Sequence, residues 1–391
     1  MVKNKKVNGA HLALITLIAA LIASTQPFFL WNVEIGYVIA LSSLFFVLWD
    51  SNVFRKSQRL LSFILLFIFY FIAAVHTYKI NIFGSVFYFI PLFFYFVKDE
   101  YWIYVYKKFL LFYTITLIPS LIVYYMVVWG EIDLPHTIIP PLNINKSHDY
   151  LAYPFLVIPD QLLSFRFSGY YDEPGVIGTI SGTLFVVNKC QLKNWKDWIL
   201  LISGIFSFSL FFYGLIILYV LLFGSFKYRL FLGIFLFISI SLLIGTDNPF
   251  NNLIIERLDV DEGDNLSRLT RTDLFFDDFY KKFVHSDKFW YGYGNTYSET
   301  VANPSGASYK DLIVDFGIIM FFFYLIALFL YYLSFKLKLK TVLLLLMLML
   351  ANIYQRPFVF SLVYIFLLVL PPAIFKANEQ CISNLSSSRV A

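Results

Sequence analysis

The hydrophobic positions of this chain neither alternate nor form narrow stripes. They run on, in apolar stretches at residues 12–24, 37–49, 60–75, 82–97, 109–129, 230–245, 312–335 and 358–375. Each approaches the ~20 residues that a helix needs to cross ~30 Å of hydrocarbon. Unbroken blocks of Leu, Ile and Phe argue against the alternating strands of a membrane barrel. The pattern predicts an all-α fold, a polytopic transmembrane helical bundle. Composition agrees, because a chain of 391 residues with 59% hydrophobic and 14% charged residues carries more apolar surface than a water-soluble fold can hide. No internal repeat, Gly/Ser linker or low-complexity tract divides it, so residues 1–391 read as a single integral membrane domain.

The net charge of +5 resolves into topology rather than pointing to nucleic acid. Basic residues cluster in short connections: Lys3, Lys5 and Lys6; Arg55, Lys56 and Arg59; Lys98, Lys107 and Lys108; Lys189, Lys193 and Lys196; Lys227 and Arg229; Lys336, Lys338 and Lys340. By the positive-inside rule these are cytoplasmic loops. They fall after every second crossing if residues 198–226 form two short crossings that turn near 207–214, which gives about twelve helices with both termini in the cytoplasm. The first residues, MVKNKK before an apolar run, have the shape of a signal peptide, but removing that helix would invert the charge pattern of every later loop. Cys190 and Cys381 both fall on the inner side, where thiols stay reduced, so no disulfide is expected.

Two connections, at about 130–172 and about 246–308, are too long for simple turns, and both map to the acidic outer side, where function is expected. The first holds Pro135, Pro140, Pro141, Pro154 and Pro159 and is predicted to be mostly irregular. In the second, Leu266, Leu269, Phe276, Phe279 and Phe283 recur at helical spacing, which predicts an amphipathic helix lying on the membrane surface.

The sharpest local feature is the stretch from Arg166 to Gly178, RFSGYYDEPGVIG. Asp172 and Glu173 suit the positive end of a helix dipole, Pro174 suits the first helical position, and the glycines permit turning and close packing. Helix initiation does not explain Arg166, whose guanidinium at the membrane edge is suited to gripping a phosphate through a fork of hydrogen bonds. Arg268 and Arg271, about one turn apart, are cations of the same kind, or else surface residues paired with Asp264 or Asp273. Arg356, in the short connection 352–357, is either a further ligand for an anion or an arginine snorkelling to the membrane edge. Glu173 is either a proton acceptor or a helix-capping residue. His136, His148 and His285 read as ordinary loop residues, and no His/Cys/Asp cluster has metal-ligand spacing, so neither metal nor cofactor is expected. Outer aromatic residues such as Tyr170 can stack on sugars or belong to an interfacial belt.

The stretch Arg166-Phe-Ser-Gly169-Tyr170-Tyr-Asp-Glu173-Pro-Gly175 resembles the Arg-x-x-Gly-x-x-x-Glu-Pro-Gly pattern of the O-antigen polymerase and ligase superfamily. Tyr291-Gly-Tyr-Gly-Asn295, followed by residues 305–309 and by Asp315-Phe-Gly317-Ile-Ile319, is similar to that superfamily's Gly-x-Gly, polar segment and helix-opening glycine. Phe206-Ser-Phe-Ser209 resembles its Ser-rich turn. The resemblance covers roughly residues 150–335. The chain departs from it where Phe211 and Phe212 stand in place of an arginine after that turn. It departs again where Ser305, Gly306 and Ser308 stand in place of the histidine of the ligases, which favours a polymerase.

The resemblance implies a multi-spanning (GT-C-like) glycosyltransferase architecture in the bacterial inner membrane. It also implies lipopolysaccharide biosynthesis, in which repeat units linked to undecaprenyl diphosphate are joined on the periplasmic face. Its expected partners are the lipid-linked oligosaccharide, membrane lipid and a chain-length regulator protein, with no nucleic acid. Arg166 and Glu173 are then the candidate catalytic residues, and Arg268, Arg271, Arg356, Gly169 and Tyr170 the candidate diphosphate- or substrate-binding residues. The alternatives are a lipid-linked oligosaccharide flippase or other transporter, and an O-antigen ligase. A transporter is expected to show repeats and midplane charges, whereas charge here is confined almost entirely to loops.

The charge pattern makes a direct prediction about topology. Single cysteines at positions 193 and 338 should be shielded from an impermeant thiol reagent in intact cells, and those at 143 and 264 should react. Labelling at 338 without labelling at 264 would overturn the twelve-crossing arrangement.

Overall fold

A computed structural model describes residues 11–31, 60–76, 88–141, 149–160, 165–227, 229–230, 274–301, 308–356 and 358–387. It is a helical assembly. The helices are α1 (His11–Ser24), α2 (Leu60–Val75), α3 (Ile90–Phe94), α4 (Asp99–Tyr124), α5 (Pro174–Val187), α6 (Trp195–Phe206) and α7 (Leu210–Phe223). They continue with α8 (Leu274–Val284), α9 (Lys288–Tyr291), α10 (Ser298–Val301), α11 (Tyr309–Leu333), α12 (Leu339–Gln355) and α13 (Leu362–Ser387). Among the described residues three segments are long and apolar enough to cross a membrane, Asp99–Trp129, Tyr309–Leu333 and Leu362–Gln380. Shorter apolar helices accompany them, at Leu14–Ser24, Leu60–Val75, Pro174–Val187, Leu210–Phe223 and Leu339–Gln355.

Burial separates two kinds of apolar helix. In α13 the side chains from Leu362 to Leu370 are buried on every side, as expected of a helix that is hydrophobic all round and central to its bundle. It packs against α1, α4, α5 and α12. In α2, Leu66, Phe69, Tyr70 and Ala73 face the protein while Leu61, Ile64, Phe67 and Phe71 face outward. Apolar side chains on the outer face would each cost about 1.5–3 kcal/mol in water relative to burial, a cost that hydrocarbon removes. Polar groups inside the bundle bond across helices, as they must where no water competes. The Tyr95 and Tyr324 hydroxyls lie 3.2 Å apart, and the Tyr70 hydroxyl donates to the Val359 carbonyl at 3.0 Å. Ser181 of α5 lies within hydrogen-bond distance of both Tyr113 on α4 and Ser203 on α6.

The expected break within residues 198–226 is present: α6 stops at Phe206 and α7 starts at Leu210. Other expectations change. The first long connection is irregular over most of its described residues, as expected, but Thr137–Ile139, Tyr150–Tyr153 and Leu156–Pro159 form an unforeseen three-stranded antiparallel sheet, β1 to β3 in chain order. Pro154 and Phe155 turn the chain between β2 and β3, and Tyr150, Leu156, Val157 and Ile158 are buried. The sheet positions the segment that follows it. The Gly169 carbonyl accepts from Val157 N–H at 2.8 Å, and the Ser168 hydroxyl donates to the Val157 carbonyl.

The second long connection also differs from expectation. Only 274–301 and 308 of it are described, so Leu266, Leu269, Arg268 and Arg271 lie outside the described residues. Helix α8 is amphipathic as predicted, yet its apolar face covers protein rather than lipid. Phe276 and Phe283 are buried with Ile313 and Val314 of α11. Lys310 secures the contact, its ammonium 2.5 Å from Asp277 and 5.3 Å from the Tyr280 ring centroid.

Two glycines cross at the base of this layer. Gly317 breaks α11 with φ +78°, and a β-carbon there would lie 2.3 Å from the Trp290 carbonyl oxygen. Gly292, φ +76°, would carry one 2.2 Å from the Asp315 carbonyl oxygen. Only glycine permits both the backbone angle and the approach. The Asp315 carboxylate then accepts from Ser298 N–H at 2.8 Å and Thr296 N–H at 3.2 Å, which explains why the Gly-x-Gly and Asp-Phe-Gly stretches occur together.

Candidate active site at the start of helix α5

Helix α5 begins as its sequence predicts, with Glu173 as the extended residue before it and Pro174 in its first turn. The Glu173 side chain does not cap the helix. Its carboxylate accepts a hydrogen bond from the Arg356 guanidinium, forming an ion pair. Arg356 stands at the C-terminal end of α12 and its side chain is 5% exposed, against 30% for Glu173. Burial alone would lower the arginine's proton affinity. The carboxylate of Glu173, helped by Tyr364 and Asp172, more than offsets this and holds it above the ordinary value. Arg356 is therefore a charged group held inside the bundle by Glu173.

The glycine two residues after Glu173 is explained by the same contact. A β-carbon on Gly175 would lie 2.5 Å from an Arg356 guanidinium nitrogen, so the arginine rests on bare backbone. One turn further on, a β-carbon on Gly178 would lie 2.2 Å from Ser209 Cβ and 3.0 Å from Ser207 Oγ. Gly182 continues the face, closing on Phe212 of α7. Three glycines on one side of α5 thus admit Arg356, the Ser207–Ser209 turn and α7 in succession.

Arg166 reaches the same turn from the other side. Its Nε donates to the Ser207 carbonyl at 3.1 Å, while Phe167 N–H donates to the Phe206 carbonyl at 2.7 Å. The structure accordingly brings together three stretches far apart in sequence: residues 166–178, residues 206–209 and Arg356. Gly169, φ +58°, turns the chain against Ile177, with its would-be β-carbon 3.2 Å from Ile177 Cδ1. The Tyr170 ring stacks on Phe28 at 6.1 Å, and its carbonyl accepts from Phe28 N–H at 2.8 Å. Tyr170 thus holds the loop after α1 against the site, while the Gly169 carbonyl ties the segment to β3.

Sequence reasoning did not find two features. Among the described residues the Ser209 hydroxyl and Arg356 Nε are buried without a hydrogen-bond partner. An apolar groove of about 390 Å³ runs between α7 and α12, lined by Leu210, Gly214, Leu218, Leu221, Met347 and Ala351 among others. Its signal was Gly214, a lone glycine inside an apolar helix whose missing side chain faces open space. Among the described residues no three His, Cys, Asp or Glu side chains are placed to share a metal ion. Comparison with protein-family models, with curated proteins and with solved structures finds no match to this chain.

The ion pair predicts a measurable coupling. Glu173→Gln strands a buried guanidinium, which should cost about 3 kcal/mol of stability, the low end of the usual range because Asp172 also faces it. Arg356→Met combined with Glu173→Gln should cost clearly less than the sum of the two single changes. Thermal unfolding of the detergent-solubilised protein measures all three variants, and additive losses would contradict the pairing.

Proposed function

We propose that this chain is a membrane glycosyltransferase acting on lipid-linked saccharides. Within that class, the reading its residues support best is an O-antigen polymerase, joining oligosaccharide repeat units carried on undecaprenyl diphosphate at the periplasmic face. The observation that carries the proposal is the Arg356–Glu173 ion pair at the first turn of α5, with Arg166 bonded to the Ser207–Ser209 turn that packs on Gly178 one turn further on. Arg166 and Glu173 come from the stretch that resembles the polymerase and ligase superfamily, whereas Arg356 lies outside that resemblance.

In this reading the bond that breaks joins the anomeric carbon of the donor sugar to a diphosphate oxygen. The bond that forms joins that carbon to an acceptor hydroxyl oxygen. Negative charge grows on the departing undecaprenyl diphosphate, and fixed cations stabilise it. Arg356 and Arg166 supply that charge next to a helix N-terminus, which favours anions further. The acceptor's proton passes to a carboxylate, the role assigned to Glu173. Arg268 and Arg271 remain proposed as further diphosphate contacts.

The reading is tested by deletion. A strain lacking the chain should show lipopolysaccharide with a single repeat unit above core and no ladder, because flipping and attachment continue. Wild type should restore the ladder, and Arg166→Lys should lower polymer formation by ~100- to 1,000-fold at normal membrane abundance, since a point charge lacks the guanidinium fork. Bare core without the single-unit band would contradict a polymerase and favour the flippase or ligase.

A further inference from the structure

The outer end of α4 leaves α-helical geometry. Over Tyr125–Trp129 the chain widens into a π turn, with Gly130 N–H bonding back to the Tyr125 carbonyl at 2.9 Å. In an α-helix, side chains five residues apart point about 140° away from each other. A turn closed by bonds between positions five apart instead stacks such positions on one face. Tyr124 and Trp129 show the result, since both rings pack on Phe206, at 5.8 and 6.2 Å. From that shared face they hold both neighbours of Arg166. Trp129 packs edge-on against Phe165 at 6.4 Å. The Tyr124 ring packs on Phe167 at 5.2 Å, and its hydroxyl donates to the Phe165 carbonyl. Phe206 itself precedes Ser207, whose carbonyl receives Arg166 Nε. A tryptophan that only anchors a helix at the membrane edge needs neither these partners nor a break in helical geometry.

We infer that the π turn of α4 is the device that sets the place of the Arg166 guanidinium, with Tyr124 and Trp129 as its positioning residues. The backbone is tethered on both sides of the arginine, at the Phe165 carbonyl by Tyr124 and at Phe167 N–H by the Phe206 carbonyl, 2.7 Å away. The Nε bond to Ser207 then fixes the plane of the guanidinium. A fixed plane matters to a cation that meets an anion through a fork of hydrogen bonds. Misplacement by about 1 Å can cost ~100-fold in rate with every reacting group still present. Tyr124 and Trp129 act through Arg166 and touch no reacting atom. The catalytic weight of this placement rests on the polymerase reading, whereas the placement itself does not.

The test uses the full chain in nanodiscs, with phenylglyoxal as the probe of arginine side chains and mass spectrometry to read each position. Tyr124→Phe keeps the ring packing and removes only the hydroxyl. It should raise modification of Arg166 about tenfold, the worth of one lost hydrogen bond, and leave Arg356 as in wild type. Supplied with undecaprenyl-diphosphate-linked repeat units, the same variant should lose about tenfold in kcat with KM unchanged, because the fixed cation acts on charge that develops in the transition state. In an Arg166→Lys background Tyr124→Phe should lower kcat no further, as a residue acting through Arg166 must. Trp129→Ala should show the same pattern. Unchanged reactivity at Arg166, an equal rise at Arg356, or a full tenfold loss in the Arg166→Lys background would overturn the inference. A wild type that forms no two-unit product, while Tyr124→Phe exposes Arg166, refutes the polymerase reading and leaves the positioning role standing. Product formed at one rate by wild type and Tyr124→Phe does the reverse.

Discussion

A buried arginine needs a counter-charge, and the position of Arg356 dictates much of what surrounds it. Its side chain is almost wholly removed from solvent at the end of α12, so Glu173 must meet it and Gly175 must leave room for it. Those two demands fix how α5 enters the bundle. With α5 held there, its glycine face turns towards the Ser207–Ser209 break and α7, and the break in turn receives Arg166. A charge that looked like an edge residue in the sequence is the point on which the site closes.

The surrounding layers serve that arrangement. The small sheet grips the chain at Gly169 and Ser168, just before the helix begins. The loop after α1 clamps Tyr170 from the other side. The crossing of Gly292 and Gly317 ties the α8–α10 layer to α11, while Asn295 N–H donates to the His76 carbonyl at 2.9 Å beyond α2. Close approach of backbone to its neighbours is concentrated at a few glycines.

The helical character of the chain was legible because continuous apolar runs admit little else. The break after Phe206 was legible from charge alternation, and the start of α5 from Glu173, Pro174 and Gly175. The sheet was not, because strands as short as β2 and β3 leave no periodicity beside five prolines, and their register comes from packing. The covering of α8 was missed for a related reason. An amphipathic pattern says that one face must be buried, not whether lipid or Ile313 and Val314 will bury it. The choice of partner for Arg356 was beyond sequence reasoning, since nothing local joins it to a glutamate 183 positions earlier.

The central claim is that sugars are joined at the start of α5, beside the Arg356–Glu173 pair and Arg166, and reconstitution tests it most directly. Purified chain in vesicles supplied with undecaprenyl-diphosphate-linked repeat units should form a two-unit product and release undecaprenyl diphosphate in equal amount, and Glu173→Gln should slow both together. Movement of repeat units across the vesicle membrane with no two-unit product would contradict the account.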